Sequence, residues 1–237
     1  MPKERFFLES PLKEKELICI RDDEFHHLNL MRPKVKQQIE IVNGNGELGI
    51  ASLETLEKKQ ATLFVEKVIT EPLESFKVIL AQSLCRPNRL DFILEKATEL
   101  GVTDIWLFPG VHSEAKDLND HKLARMRAIT ISAMKQCGRL YLPKITSKPS
   151  LEHFEQSPYP SFFGDVDEKA PSFLECWKNE SQDEGVLFFI GTESGFSDAE
   201  TKKLLSLGAK GVKINKNILR TDTAAITALS LIGSRLN

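Results

Sequence analysis

Cysteine is scarce in this sequence and none of it is arranged for chemistry. The four, Cys19, Cys85, Cys137 and Cys176, lie far apart, with no CxxC pair and no histidine at a ligand spacing. Neither a zinc site nor a disulfide framework is therefore suggested, and a reducing cytoplasm fits best. No apolar run approaches the roughly 20 residues of a membrane helix, and the start, MPKERFFLES, lacks the apolar core of a signal peptide. The glycine turn at residues 191–195 fits no familiar ligand motif: it is not a GxGxxG dinucleotide fingerprint, a GxxxxGK[ST] phosphate loop or a serine-centred nucleophile elbow. The expectation is a cytoplasmic protein with no metal and no membrane contact.

What is present suits an ordinary globular chain. At 237 residues, 41% hydrophobic and 28% charged, it is long enough for a sizeable core in one large or two smaller domains. The net charge of −2 hides an uneven distribution: residues 1–75 hold 11 Lys/Arg against 14 Asp/Glu, whereas residues 86–148 hold 11 against 7. Arg86, Arg89, Lys122, Arg125, Arg127, Lys135 and Arg139 would form a phosphate-facing surface, although charge on a helix is more often its solvated face.

The first seventy residues alternate short apolar runs with turn signals. ELICIR, QIEIVNGNGELGIASLETL and ATLFVEKVI read as strands, with Asn43-Gly44-Asn45-Gly46 as a hairpin turn, since Asn and Gly tolerate positive φ. DDEFHHLNLMR reads as a short helix. Its paired His26 and His27 lack further ligands, so packing by one of them outweighs a metal. From about residue 76 the rhythm becomes strand, helix, strand: FKVILAQSL, then NRLDFILEKATEL ending at Gly101, then VTDIWLFPG. A long helix over about 119–137 follows, then strand-like SFFGD and VLFFIG, a helix over SDAETKKLLSL, a short strand through Val212 to Ile214 and an apolar final helix. Alternating strands and helices predict an α/β domain with a mostly parallel sheet. The chain divides at ITEPLESF, into a small β-rich domain over residues 1–72 and an α/β domain over residues 73–237.

The segment VLFFIGTESGFSDAE places glycines 191 and 195 where a buried strand turns into a helix, the usual place for a ligand in an α/β sheet. Read blandly, it is a strand-to-helix turn capped by Ser197. Only 42 residues follow Gly195, so the other strands of its sheet must precede it. A second polar turn, INKNILRTDTA, opens the final helix. Thr221 or Asp222 is placed to cap that helix, and Arg220 just before it is a charge a core does not need.

FIGTESGFSDAE followed by INKNILRTDTA, and preceded by EKATELGV and AMKQCGRLYLPKI, resembles the RsmE family of 16S ribosomal RNA methyltransferases, which methylate N3 of one uridine with S-adenosylmethionine. The resemblance spans nearly the whole chain, with four motifs in the family's order. It implies a SPOUT-type α/β domain carrying a C-terminal trefoil knot, a small PUA-like β-barrel before it, and a homodimer. It further implies that the cofactor lies against Phe163, Gly164, Asp165, Ile190, Gly191, Thr192, Glu193, Gly195, Ile214, Ile218 and Leu219. Arg220 would act at the reacting centre, with Asp222 orienting it, and Arg5, Arg32, Arg86, Arg89 and Arg139 would hold 16S rRNA within the 30S subunit. This chain departs from the family pattern: Thr192 replaces proline, Ser194 glycine, Ile214-Asn215 Leu-Gly, Asp222 glutamate and Lys135 glutamate. Serine at 194 meets a steric penalty if that position requires positive φ. Two function classes follow: the methyltransferase, or an RNA-binding or ribosome-assembly protein that keeps the fold with weakened or no turnover.

Overall fold

The computed structural model describes residues 5–180 and 184–234. They form two compact units, Met1–Leu73 with Ile131–Leu142, and Glu74–Thr130 with Pro143–Asn237. Among the described residues no helix is long and apolar enough to cross a membrane.

The first unit is a curled five-stranded sheet in the order β1-β3-β4-β5-β2, made of β1 (Arg5–Phe7), β2 (Leu17–Arg21), β3 (Gln38–Val42), β4 (Glu47–Leu56) and β5 (Gln60–Thr70). All pairs are antiparallel except β1 with β3. It is a half-barrel: β1 and β2 remain its edges, and the helix α1 (Asp22–Leu30) packs against both, burying Leu28. Alternation along β4 and β5 sends Ala51, Leu53, Leu63 and Val65 into the core. The Asn43–Gly46 turn is as the sequence predicts, with Gly44 at φ 75° and Gly46 at φ 89°. The Asn43 side chain closes it by accepting the N–H groups of Asn45 and Glu47. His27 packs its ring 5.2 Å from that of Phe6. Lys135 forms a mostly buried ion pair with Glu24 at 2.6 Å, which gives this departure from the family pattern a structural role.

The second unit is an all-parallel six-stranded sheet in the order β11-β9-β10-β6-β7-β8. Its strands are β6 (Lys77–Ser83), β7 (Asp104–Phe108), β8 (Lys144–Ser147), β9 (Ser161–Gly164), β10 (Gly185–Ile190) and β11 (Lys210–Val212). Both faces are covered, so the central strands are largely apolar, and β10 is buried along its whole length. Val78, Leu80, Ile105, Phe162, Val186 and Phe188 point to one face. There they meet α2 (Pro87–Glu99), α4 (Phe173–Lys178) and α6 (Thr221–Gly233). Ile79, Ala81, Phe108, Phe163 and Phe189 point to the other, under α5 (Asp198–Ser206). α6 turns Ala225, Ala228, Leu229 and Ile232 into the first of these cores, so its apolar face is interior. The helix α3 (Asp120–Cys137) runs from residues of the second unit into residues of the first.

Strand order positions the site. The chain leaves β9 for its neighbour β10 and then crosses back over β9 to β11. Such a reversal opens a crevice beyond the carboxyl ends of the strands.

Candidate cofactor cavity and its rim

Three successive loops, after β9, β10 and β11, line a single cavity of about 660 Å³. All eleven residues that the sequence reading associates with a cofactor border it: Phe163, Gly164 and Asp165; Ile190, Gly191, Thr192, Glu193 and Gly195; and Ile214, Ile218 and Leu219. Pockets of about 300–1,000 Å³ suit a ligand of cofactor size.

The loop after β10 is fixed by its own hydrogen bonds. Gly195 donates its N–H to the Thr192 carbonyl at 3.0 Å. The Thr192 hydroxyl donates to the Gly195 carbonyl at 3.1 Å and accepts the Ser194 N–H at 3.3 Å. Threonine thus closes the turn through its hydroxyl. The positive φ falls on Gly195, at 75°, and not on Ser194, so the expected strain at Ser194 does not arise. Gly191 is required for another reason: a Cβ there would lie 2.7 Å from the carbonyl carbon of Gly195, and the two ends of the loop could not meet. Ser197 caps α5 as the bland reading anticipates, in a reciprocal capping box with Glu200. The buried Glu200 also accepts the Val111 N–H at 3.0 Å, tying α5 to the loop after β7.

The other two loops are held by side chains that mimic turns. Asp165 accepts the Asp167 N–H, and Asn215 accepts that of Asn217, each at 2.9 Å. Val166 and Ile218 are left on the rim 69% and 81% exposed.

Below the cavity lies a buried polar cluster that the sequence reading did not single out. Gln82, fully buried at the end of β6, pairs in register with Ile190. Its amide donates toward the Gly191 carbonyl and the Thr221 hydroxyl, at 3.3 and 3.2 Å. Thr221 in turn donates to the same Gly191 carbonyl at 2.7 Å. This corrects the cap expected for α6: the cap position is Arg220, with no side-chain cap bond, and Thr221 faces inward. The signal in the sequence was a glutamine inside an otherwise apolar strand.

Charges gather at the edge. Glu193 accepts the backbone N–H of Arg86, the residue capping α2, at 3.1 Å, and lies 3.5 Å from Nε of Arg89. Arg89 Nη1 reaches Asp222 at 3.0 Å. Asp222 therefore orients Arg89 and not, as expected, Arg220. Arg220 is exposed, and its guanidinium has no partner among the described residues. Beside this cluster the Cys85 thiol is pushed up to about 12, first by burial and then by the Glu193 carboxylate, and stays protonated at neutral pH.

A family model for the RNA methyltransferase domain matches residues 72–233, and one for the RNA methyltransferase PUA domain matches residues 20–66. The chain belongs to the RNA methyltransferase family. A ribosomal RNA small subunit methyltransferase E from Buchnera aphidicola is 25% identical over 96% of this chain and 92% of its own. A methyltransferase of that name from Neisseria gonorrhoeae, solved bound to S-adenosyl methionine, has a TM-score of 0.87 at 28% identity, over 98% of this chain and 97% of that one. A Legionella pneumophila protein solved with the cofactor SAM has a TM-score of 0.89 at 25% identity, over 99% and 98% of the two chains. The RsmE family read from the motifs is the one that the Buchnera and Neisseria relatives carry by name.

Within this methyltransferase chain the five arginines expected to hold RNA are placed unequally. Arg5 is mostly buried, bonded to Glu40 at 3.0 Å and to the Gly138 carbonyl at 2.5 Å, and Arg89 is engaged as described. Both are thus paired with carboxylates inside the protein. Arg32 and Arg86 are exposed, Arg86 with only a 3.7 Å approach to Glu114, and Arg139 is half-buried.

Proposed function

We propose that this chain is an S-adenosylmethionine-dependent methyltransferase of 16S rRNA in the small ribosomal subunit, acting in the cytoplasm on N3 of a uridine. The observation that carries this reading is the meeting of the three loops named above in one cavity, with the Arg220 turn opening α6 beside them. The residues present fit the cofactor. Main-chain groups of Gly191, Thr192 and Gly195 border the space, apolar side chains of Phe163, Ile190, Ile214 and Leu219 offer a surface for an adenine ring, and Gly164 leaves open room where a Cβ would stand. When bound, S-adenosylmethionine supplies an electrophilic methyl group on a sulfonium sulfur.

The chain's own contribution is orientation and electrostatics. Loops held by Thr192, Asp165 and Asn215 would present a pre-formed surface, so that the nucleophilic nitrogen can be brought in line with little reorganisation. Uracil N3 must lose its proton, and the Arg220 guanidinium, unpaired with any carboxylate among the described residues, would stabilise the resulting negative charge on the flanking carbonyl oxygens. Arg32 and Arg86 would neutralise phosphates, making RNA affinity salt-dependent. A homodimer follows from the family resemblance, and the exposed Val166 and Ile218 on the cavity rim favour a covering partner.

The altered loop does not favour the non-catalytic reading, because Thr192 closes its turn and Ser194 avoids positive φ. Methyl transfer decides between them. Purified protein given labelled cofactor and small subunits lacking the mark should label one uridine at N3. Absence of both transfer and saturable cofactor binding would leave the RNA-binding reading.

A further inference from the structure

Glu193 on the cavity lining and Asp222 in the first turn of α6 come from segments far apart in the chain and would repel one another if brought together alone. Arg89 lies between them, 3.5 Å from Glu193 and 3.0 Å from Asp222. All three side chains are one-third exposed or less. Its own position is rigid: it sits in the first turn of α2, whose Leu90, Ile93 and Leu94 are buried in the sheet's main core. A planar guanidinium can address two carboxylates from fixed directions, which a lysine ammonium cannot reproduce.

We infer that Arg89 is a positioning residue for the cofactor cavity, holding the loop after β10 through Glu193 and the first turn of α6 through Asp222. It rests on the methyltransferase reading for the identity of the ligand. Two consequences follow. Arg89 is withdrawn from RNA, and by occupying Asp222 it leaves Arg220 without a counter-ion among the described residues, available to the substrate.

The test compares wild type with Arg89→Gln and Arg89→Lys in three measurements. Calorimetric affinity for S-adenosylmethionine should fall about tenfold or more in Arg89→Gln, with Arg89→Lys recovering only part. Affinity for a 16S rRNA fragment, and its salt dependence, should stay at wild-type values in both. Amide exchange, measured without cofactor, should accelerate over residues 192–196 while the amides of β6 and β10 keep their protection. A triple variant, Arg89→Gln with Glu193→Gln and Asp222→Asn, should regain part of the lost cofactor affinity because the repulsion is gone, an outcome that general misfolding would not give. Wild-type cofactor affinity in Arg89→Gln, or a salt slope lowered by about one, overturns the inference. If the wild type itself binds no S-adenosylmethionine, the methyltransferase reading fails, and the exchange measurement still decides whether Arg89 holds the loop.

Discussion

Glu193 accepts the backbone N–H of Arg86 at 3.1 Å, so a carboxylate from the loop after β10 completes the N-terminus of α2 in the way a capping-box glutamate would from within its own helix. A carboxylate between two glycines at the top of a buried strand thus has a structural use. Glu193→Ala should cost about 1 kcal/mol in urea unfolding, a modest figure for a side chain one-third in solvent. It should also weaken cofactor binding, because the loop loses its tie to α2. Unchanged stability and affinity together would refute that tie.

Arg220→Ala should separate binding from transfer. The guanidinium has no hydrogen-bond or ion-pair partner among the described residues, so the melting temperature and the affinity for S-adenosylmethionine should remain those of the wild type. Methyl transfer should drop by about a hundredfold or more, the scale of removing one charge-stabilising donor. Full transfer activity in this variant would remove Arg220 from the reacting centre.

Gly191→Ala brings a methyl group to 2.7 Å from the backbone of Gly195. Neither segment is a flexible side chain, so the loop must open, at about 1–3 kcal/mol for an overpacked site. Loss of saturable cofactor binding in calorimetry is the expected readout, whereas Gly164→Ala, where a Cβ meets nothing, should retain the fold.

Thr221→Val removes the hydroxyl that donates to the Gly191 carbonyl at 2.7 Å and accepts from Gln82. Leaving these buried groups short of a partner should cost about 1–3 kcal/mol. Gln82 carries one amide oxygen with no partner among the described residues, so Gln82→Leu removes that unpaired group as well. The double variant should be less destabilised than the sum of the singles, and strict additivity would show that the cluster does not act as a unit.

Cys85 gives a pH dependence of known sign. Its thiol is raised from an ordinary 9.0 to about 12, so the folded state favours the neutral form. That contribution is fully present below about pH 9 and is lost as pH rises toward 12. Iodoacetamide at about pH 8.5 should leave Cys85 unmodified in the native protein and modify it in urea. Rapid native labelling would contradict the burial, and Cys85→Ser should flatten part of the alkaline decline in stability.

Much of this architecture is legible because its signals are local. The Asn43–Gly46 turn, the end of α2 at Gly101, the Ser197 cap and the apolar stretch of β10 each follow from a few adjacent residues. So does the cavity wall, since its three loops are strand-to-helix turns carrying glycine or asparagine. The three-residue β1 and the six-residue α4 were missed because elements of that length have no period to read. Partner choice was missed for a different reason. Arg89 and Asp222 are 133 residues apart, and an arginine that closes a cavity looks in sequence like one on a solvated helix. Thr221 reads as a cap because its type suits one; only the approach of Gly191 and Gln82 turns it inward.

The sharing of α3 between the two units has a bearing on how the protein is made. Val42 of the N-terminal sheet is buried against Met134 and Leu140, residues that leave the ribosome some ninety positions later. A fragment ending near residue 73 would present that apolar patch to water, so the half-barrel should mature only after the first strands of the α/β sheet have already been synthesised.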